Sequence, residues 1–156
     1  MVLRILCHFG YPDGRIRRIA ETLVEQQRAD GAWVYDNKPG AERYLFDNTW
    51  LVLRGLQAYA QTSPDQKDRL EEAQRKAHAF LLDYQLFDPN NPKCTLFSFP
   101  MYWHYDLLAG LDYCREVQLR DPRLADAISV LEAKANADGT WSLRNRHPGA
   151  TFFEME

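Results

Sequence analysis

A chain of 156 residues with 22 acidic against 19 basic groups, net charge −3, offers no electrostatic case for binding nucleic acid or an anionic membrane. Its 46% hydrophobic and 26% charged residues suit a single soluble domain, 1–156, and exclude disorder as the main state. Cys7, Cys94 and Cys114 have no paired spacing, and no apolar run reaches signal-peptide or transmembrane length, so reduced thiols in the cytoplasm are expected.

In chain order, residues 1–9 read as the tail of a helix ended by Gly10 and the Pro12-Asp13-Gly14 turn. Ile16, Ile19, Ala20, Leu23 and Val24 then mark one face of a helix over 15–28, closed at Ala29-Asp30-Gly31 by a left-handed glycine. A second helix is expected to start at Asp47 or Asn48, either of which can cap it, and to run through Trp50, Leu53, Leu56 and Tyr59. Ser63-Pro64-Asp65-Gln66 starts a third helix, which carries Leu70, Ala73, Ala77, Phe80, Leu81 and Tyr84 on its buried face. Residues 87–100 read as a loop. A helix from about Met101 then carries Leu107, Leu108, Leu111 and Cys114, and Asp121-Pro122 caps one more, with Leu124, Ile128 and Leu131 on one face ahead of Ala137-Asp138-Gly139.

The chain repeats itself. Asp30-Gly31-Ala32-Trp33 returns as Asp138-Gly139-Thr140-Trp141, 108 positions on. The likeness extends from Asn37 and Pro39-Gly40-Ala41 to Asn145 and Pro148-Gly149-Ala150. Gly55-Leu56 and Gly110-Leu111 recur at about half that separation, as an array of helical hairpins requires. The expected fold is therefore all-α.

Gln27-Arg28-Ala29-Asp30-Gly31-Ala32-Trp33 fits Q-x-x-x-G-x-W and resembles the QW motif of the terpenoid cyclase and protein prenyltransferase superfamily; Ala135 to Trp141 matches it in part, with Ala135 in place of the Gln. The resemblance implies a partial α/α toroid of antiparallel hairpins, about two and a half repeats long, in which Gln27, Gly31, Trp33, Gly139 and Trp141 are structural. A closed toroid holds more hairpins than this chain, so either the chain is a fragment of a longer toroid or copies of it self-associate across open edges. The family's chemistry does not transfer. There is no D-x-D-D run, the turns Asp30-Gly31-Ala32 and Asp138-Gly139-Thr140 lack the zinc-binding thiolate of D-G-C, and Asp112-Tyr113-Cys114 falls inside a helix.

The densest polar-aromatic cluster is Met101-Tyr102-Trp103-His104-Tyr105-Asp106. His104 with Asp106 forms a candidate acid–base pair, and Asp47, Trp50, Trp103 and Tyr105 are candidate ligand-binding residues for a sugar ring or an isoprenoid chain. The plainer reading is that Asp106 and Asp47 serve helix N-termini and that the aromatic rings are core. Cys94, His104 and Asp106, with His78 or His147, match no established zinc spacing; neither metal nor cofactor is expected. Three functions remain: a terpenoid-cyclase-like protein that binds or converts an apolar isoprenoid-type ligand, a carbohydrate-active α/α barrel, and a non-catalytic helical scaffold.

Overall fold

The computed structural model describes residues 1–11, 13–35, 40–99, 101 and 104–145. Among them the chain forms six α-helices and no strand; one isolated antiparallel bridge joins Ala135 to Trp141. Among the described residues no helix is long and apolar enough to cross a membrane. The chain divides into two compact units, Met1–Asp83 and Tyr84–Glu156. Trp103 and the parts of the repeat at 37–39 and 148–150, together with His147, lie outside the described residues.

The first unit holds α1 (Val2–His8), α2 (Arg15–Glu25), α3 (Leu45–Thr62) and α4 (Lys67–Asp83). The long helix α3 packs against the other three. Its Phe46, Trp50, Leu53 and Leu56 are fully buried, each contributing on the order of 2 kcal/mol of apolar burial. Phe46 meets Phe80 of α4 at a centroid distance of 5.3 Å and a tilt of 50°. Leu3 of α1 packs over Gly55, at a distance where a Cβ would make an ordinary contact, 3.5 Å from that of Leu3, so the approach of α1 does not depend on the glycine. The buried face of α4 is Leu70, Ala73, Ala77, Phe80 and Leu81, as its periodicity requires.

Three expectations fail in this unit. Helix α2 ends at Glu25, capped at Gln26 with φ −86°, so the left-handed Gly31 (φ 90°) does not end the helix but turns the loop beyond it. Helix α3 begins at Leu45 behind a 3-10 turn, Ala41–Tyr44, and its N-cap Tyr44 makes no side-chain capping bond. Asp47 is therefore a buried residue of the first turn and not a cap. Tyr84 lies beyond the end of α4 and is exposed.

The second unit holds α5 (Leu107–Glu116) and α6 (Ala125–Ala133). Asp121 opens the 3-10 turn Pro122–Leu124 as expected, its carboxylate accepting the Arg123 N–H at 2.9 Å with Pro at the first position. Helix α5 starts at Leu107, not near Met101, because Asp106 takes the N-cap in extended conformation (φ −137°, ψ 169°). Before it, Gln85 (φ 53°) and Leu86 (φ 67°) are consecutive left-handed residues, each costing roughly 1–2 kcal/mol of conformational energy. Leu86 is fully buried, which offsets part of that cost.

Candidate functional site

The two D-G-x-W turns share three closing bonds. The Trp33 indole N–H donates to the Leu23 carbonyl at 2.7 Å, and that of Trp141 to Leu131 at 2.8 Å, ten residues back in each case. Asp30 Oδ1 accepts the Ala32 N–H at 3.1 Å, and Asp138 Oδ1 that of Thr140 at 3.0 Å. Gly31 and Gly139 each donate to the carbonyl three residues earlier at 3.0 Å. Both glycines have positive φ, 90° and 80°, a conformation that favours a residue without Cβ.

The surroundings of the two turns differ. Gln27 Nε2 donates to the Gly31 carbonyl at 2.9 Å and to that of Ala73 in α4 at 2.8 Å. The Trp33 N–H donates to Thr49 Oγ1 in α3 at 3.1 Å, and Gly31 sits against the Lys76 carbonyl with no room for a Cβ. Around Gly139 there is open space among the described residues. Trp33 is 3% exposed and Trp141 36%. The Ala135 that replaces Gln27 has no amide with which to bridge to a further helix.

The proposed acid–base and ligand residues fall in different units. Asp47 and Trp50 are buried in the first, Trp50 with the Arg54 guanidinium 4.9 Å above its ring. In the second, His104 is half-buried and its main-chain N–H bonds the Met101 carbonyl at 3.1 Å. Tyr105 is buried, its hydroxyl donating to the carbonyl of left-handed Leu86 at 2.9 Å and lying where a Cβ on Gly110 would point. Asp106 Oδ1 accepts the Ala109 N–H at 2.8 Å and Oδ2 the Ser98 N–H at 3.1 Å. Both oxygens thus hold main-chain donors, so the carboxylate is engaged in joining α5 to the loop before it.

Pattern reading missed the setting of these residues, a buried acidic centre. Burial pushes the Tyr105 phenol well up, and Cys114, Cys94, Asp106 and Asp88 add to the shift. Burial likewise raises Cys94, and Cys114 to about 11, so both thiols are protonated at neutral pH and poor nucleophiles. Asp88, also raised by burial, accepts the Asn90 N–H on Oδ1 at 2.9 Å, while its buried Oδ2 has no hydrogen-bond partner among the described residues. Asp88 follows Phe87 in a stretch that reads only as a turn, so nothing local announces its burial. Among the described residues no group of three or more His, Cys, Asp or Glu is arranged to hold a metal ion. In Asp112-Tyr113-Cys114 the two ligand types diverge, Asp112 bonding exposed Arg115 at 2.8 Å while Cys114 is buried.

The first unit also carries an open cleft of about 280 Å³ between α1, α2 and the end of α3. Its lining combines the apolar Leu6, Ile16 and Tyr59 with the polar Asp13, Arg17, Thr62 and Ser63. Cys7 borders it, its thiol raised by burial and opposed by a hydrogen bond with Thr62. No protein-family model, curated protein or solved structure matches the chain.

Proposed function

We propose that the chain is part of a terpenoid cyclase- or protein prenyltransferase-like protein, a partial α/α toroid, that binds or converts an apolar isoprenoid-type ligand. The supporting observation is the clasp: Gln27 of the QW-type sequence bonds the Gly31 carbonyl, Trp33 bonds the Leu23 carbonyl ten residues back, and Trp141 repeats that tryptophan bond to Leu131. The buried, free thiols accord with a cytoplasmic setting. In this reading the cleft lined by Leu6, Ile16 and Tyr59 takes the prenyl chain.

A thermal-shift panel of geranylgeranyl diphosphate, squalene and cello-oligosaccharides tests it. Stabilisation by the isoprenoids, abolished by Leu6→Trp, which fills the cleft, is the expected result. Stabilisation by the sugars alone, or by none of the compounds, overturns it. One observation favours the non-catalytic scaffold as second reading: both oxygens of Asp106 and the hydroxyl of Tyr105 are engaged with main chain. The carbohydrate reading draws no support from Trp50 and Tyr105, which are buried and present no stacking surface.

A further inference from the structure

We propose that the cleft of the first unit takes an uncharged isoprenoid alcohol, with the Tyr59 hydroxyl as its polar anchor. The inference rests on the ligand reading above and names the class of ligand within it. It starts from a polar group that the fold buries and leaves unused. Tyr59 is 5% exposed and lines the cleft. Its main-chain carbonyl accepts the Thr62 hydroxyl at 3.0 Å, while its own hydroxyl has no hydrogen-bond partner among the described residues. That hydroxyl is not wholly enclosed, and it lies within electrostatic reach of the Arg17 guanidinium, which lines the same cleft. A buried hydroxyl without a partner forgoes the bond it makes in water, and a ligand oxygen seated beside it restores that bond.

The other lining groups narrow the head of the ligand. The Thr62 hydroxyl is engaged with the Tyr59 carbonyl and the Cys7 thiol. Half-buried Ser63 brings a second hydroxyl with no partner among the described residues. Hydroxyls both donate and accept, and so does an alcohol. The charges disfavour an anionic head. The lining holds one carboxylate, Asp13, and one guanidinium, Arg17, so its formal charge is zero. Asp13 is tied to Arg15 at 2.7 Å, and Arg17 to Glu21 at 3.0 Å, with Asp65 also in reach of Arg17. A diphosphate seated there meets Asp13 and no unengaged cation of the lining, so it binds by its chain with the head left in water. At about 280 Å³ the cleft falls at the small end of ligand pockets, which makes a ten-carbon alcohol the fitting probe.

Isothermal titration calorimetry on the full chain with geraniol, with the hydrocarbon myrcene and with geranyl diphosphate tests the assignment. Tyr59→Phe removes the hydroxyl alone, and because that group holds nothing else in the fold, the melting temperature of the free protein is expected to stay as in wild type. Geraniol is expected to bind wild type and to bind Tyr59→Phe about five-fold more weakly, the worth of one hydrogen bond, while myrcene binds both alike. Geranyl diphosphate is expected to bind wild type more weakly than geraniol does. Leu6→Trp, which fills the cleft, is expected to abolish binding of the alcohol. An unchanged geraniol affinity in Tyr59→Phe, an equal loss for myrcene, or a diphosphate that binds as tightly as the alcohol overturns the anchor and leaves the isoprenoid reading of the cleft standing. Geraniol and myrcene both failing to bind, or geraniol still binding Leu6→Trp, overturns the two together.

Discussion

Replacing Gly31 and Gly139 by Ala, one at a time, separates the cost of a backbone conformation from the cost of a contact. The two positions have nearly the same φ, 90° and 80°, so an alanine side chain costs each roughly 1–2 kcal/mol in this left-handed region. At Gly139 no atom of the described residues lies within 4 Å of the new methyl, so the backbone term is the expected effect. At Gly31 the methyl meets the Lys76 carbonyl, with its carbon at 2.7 Å and the Ala77 nitrogen at 3.2 Å, against an optimal separation of about 3.5–4.0 Å. Helix α4 must then retreat by roughly 1 Å, a change of the overpacking kind that costs about 1–3 kcal/mol. The 2.8 Å bond from Gln27 to Ala73 lengthens with it, adding on the order of 1 kcal/mol. Gly31→Ala should therefore destabilise by roughly 3–6 kcal/mol and Gly139→Ala by roughly 1–2. Urea denaturation of the full chain in dilute solution gives the totals, and hydrogen exchange locates them. Protection should fall across α4 in the first variant and stay unchanged there in the second. Equal losses in the two variants, or an α4 that keeps its protection in Gly31→Ala, would refute the idea that the first clasp is held from outside.

The remaining predictions concern single side chains. Gln27→Ala removes two hydrogen bonds to main-chain carbonyls and should cost about 1–3 kcal/mol in denaturant, whereas the reverse change, Ala135→Gln, should alter stability by less than about 0.5 kcal/mol because no helix stands opposite it among the described residues. Asp106→Ala leaves the Ala109 and Ser98 N–H groups without acceptors and should cost roughly 2–4 kcal/mol, with Asp106→Asn, which keeps one oxygen, losing about half as much in the same assay. Burial lowers His78 from 6.5 to about 4, so the unfolded chain takes up the proton first as pH falls. The stability tied to His78 is complete above pH 6.5 and is lost between 6.5 and 4, by up to about 3 kcal/mol; His78→Leu should flatten the slope of unfolding free energy against pH in that window.

What the sequence made legible is what is local in space as well as along the chain. The clasp closes over ten residues, and the Asp121-Pro122 start needs only the next two, so their residue types announce them. Helix faces were legible for the related reason that burial against any neighbour demands the same periodicity. The start of α5 was not, because residues 101–106 have helical spacing, while Asp106 caps Ala109 with one oxygen and binds Ser98, eight positions back across a loop, with the other. Nor was the pair Gln85–Leu86: neither is a residue that favours left-handed backbone, and what holds Leu86 there includes a tyrosine hydroxyl nineteen positions away. The aromatic residues read as ligand-facing illustrate the same limit. Composition marks Trp50 and Tyr105 as able to stack on a ligand, and only the three-dimensional neighbours decide that they fill the interior.

The ten-residue span of each tryptophan bond also bears on the order of events during folding. A loop so short loses little entropy on closing, and loops of this size close in about 10–100 ns. Each corner can therefore be shaped while the rest of the chain is still searching, and the second reaches its finished geometry with no described helix laid across its glycine. A newly made hairpin arm of this kind emerges with its exit direction already set, so later helices assemble onto a bracket instead of having to bend one into place.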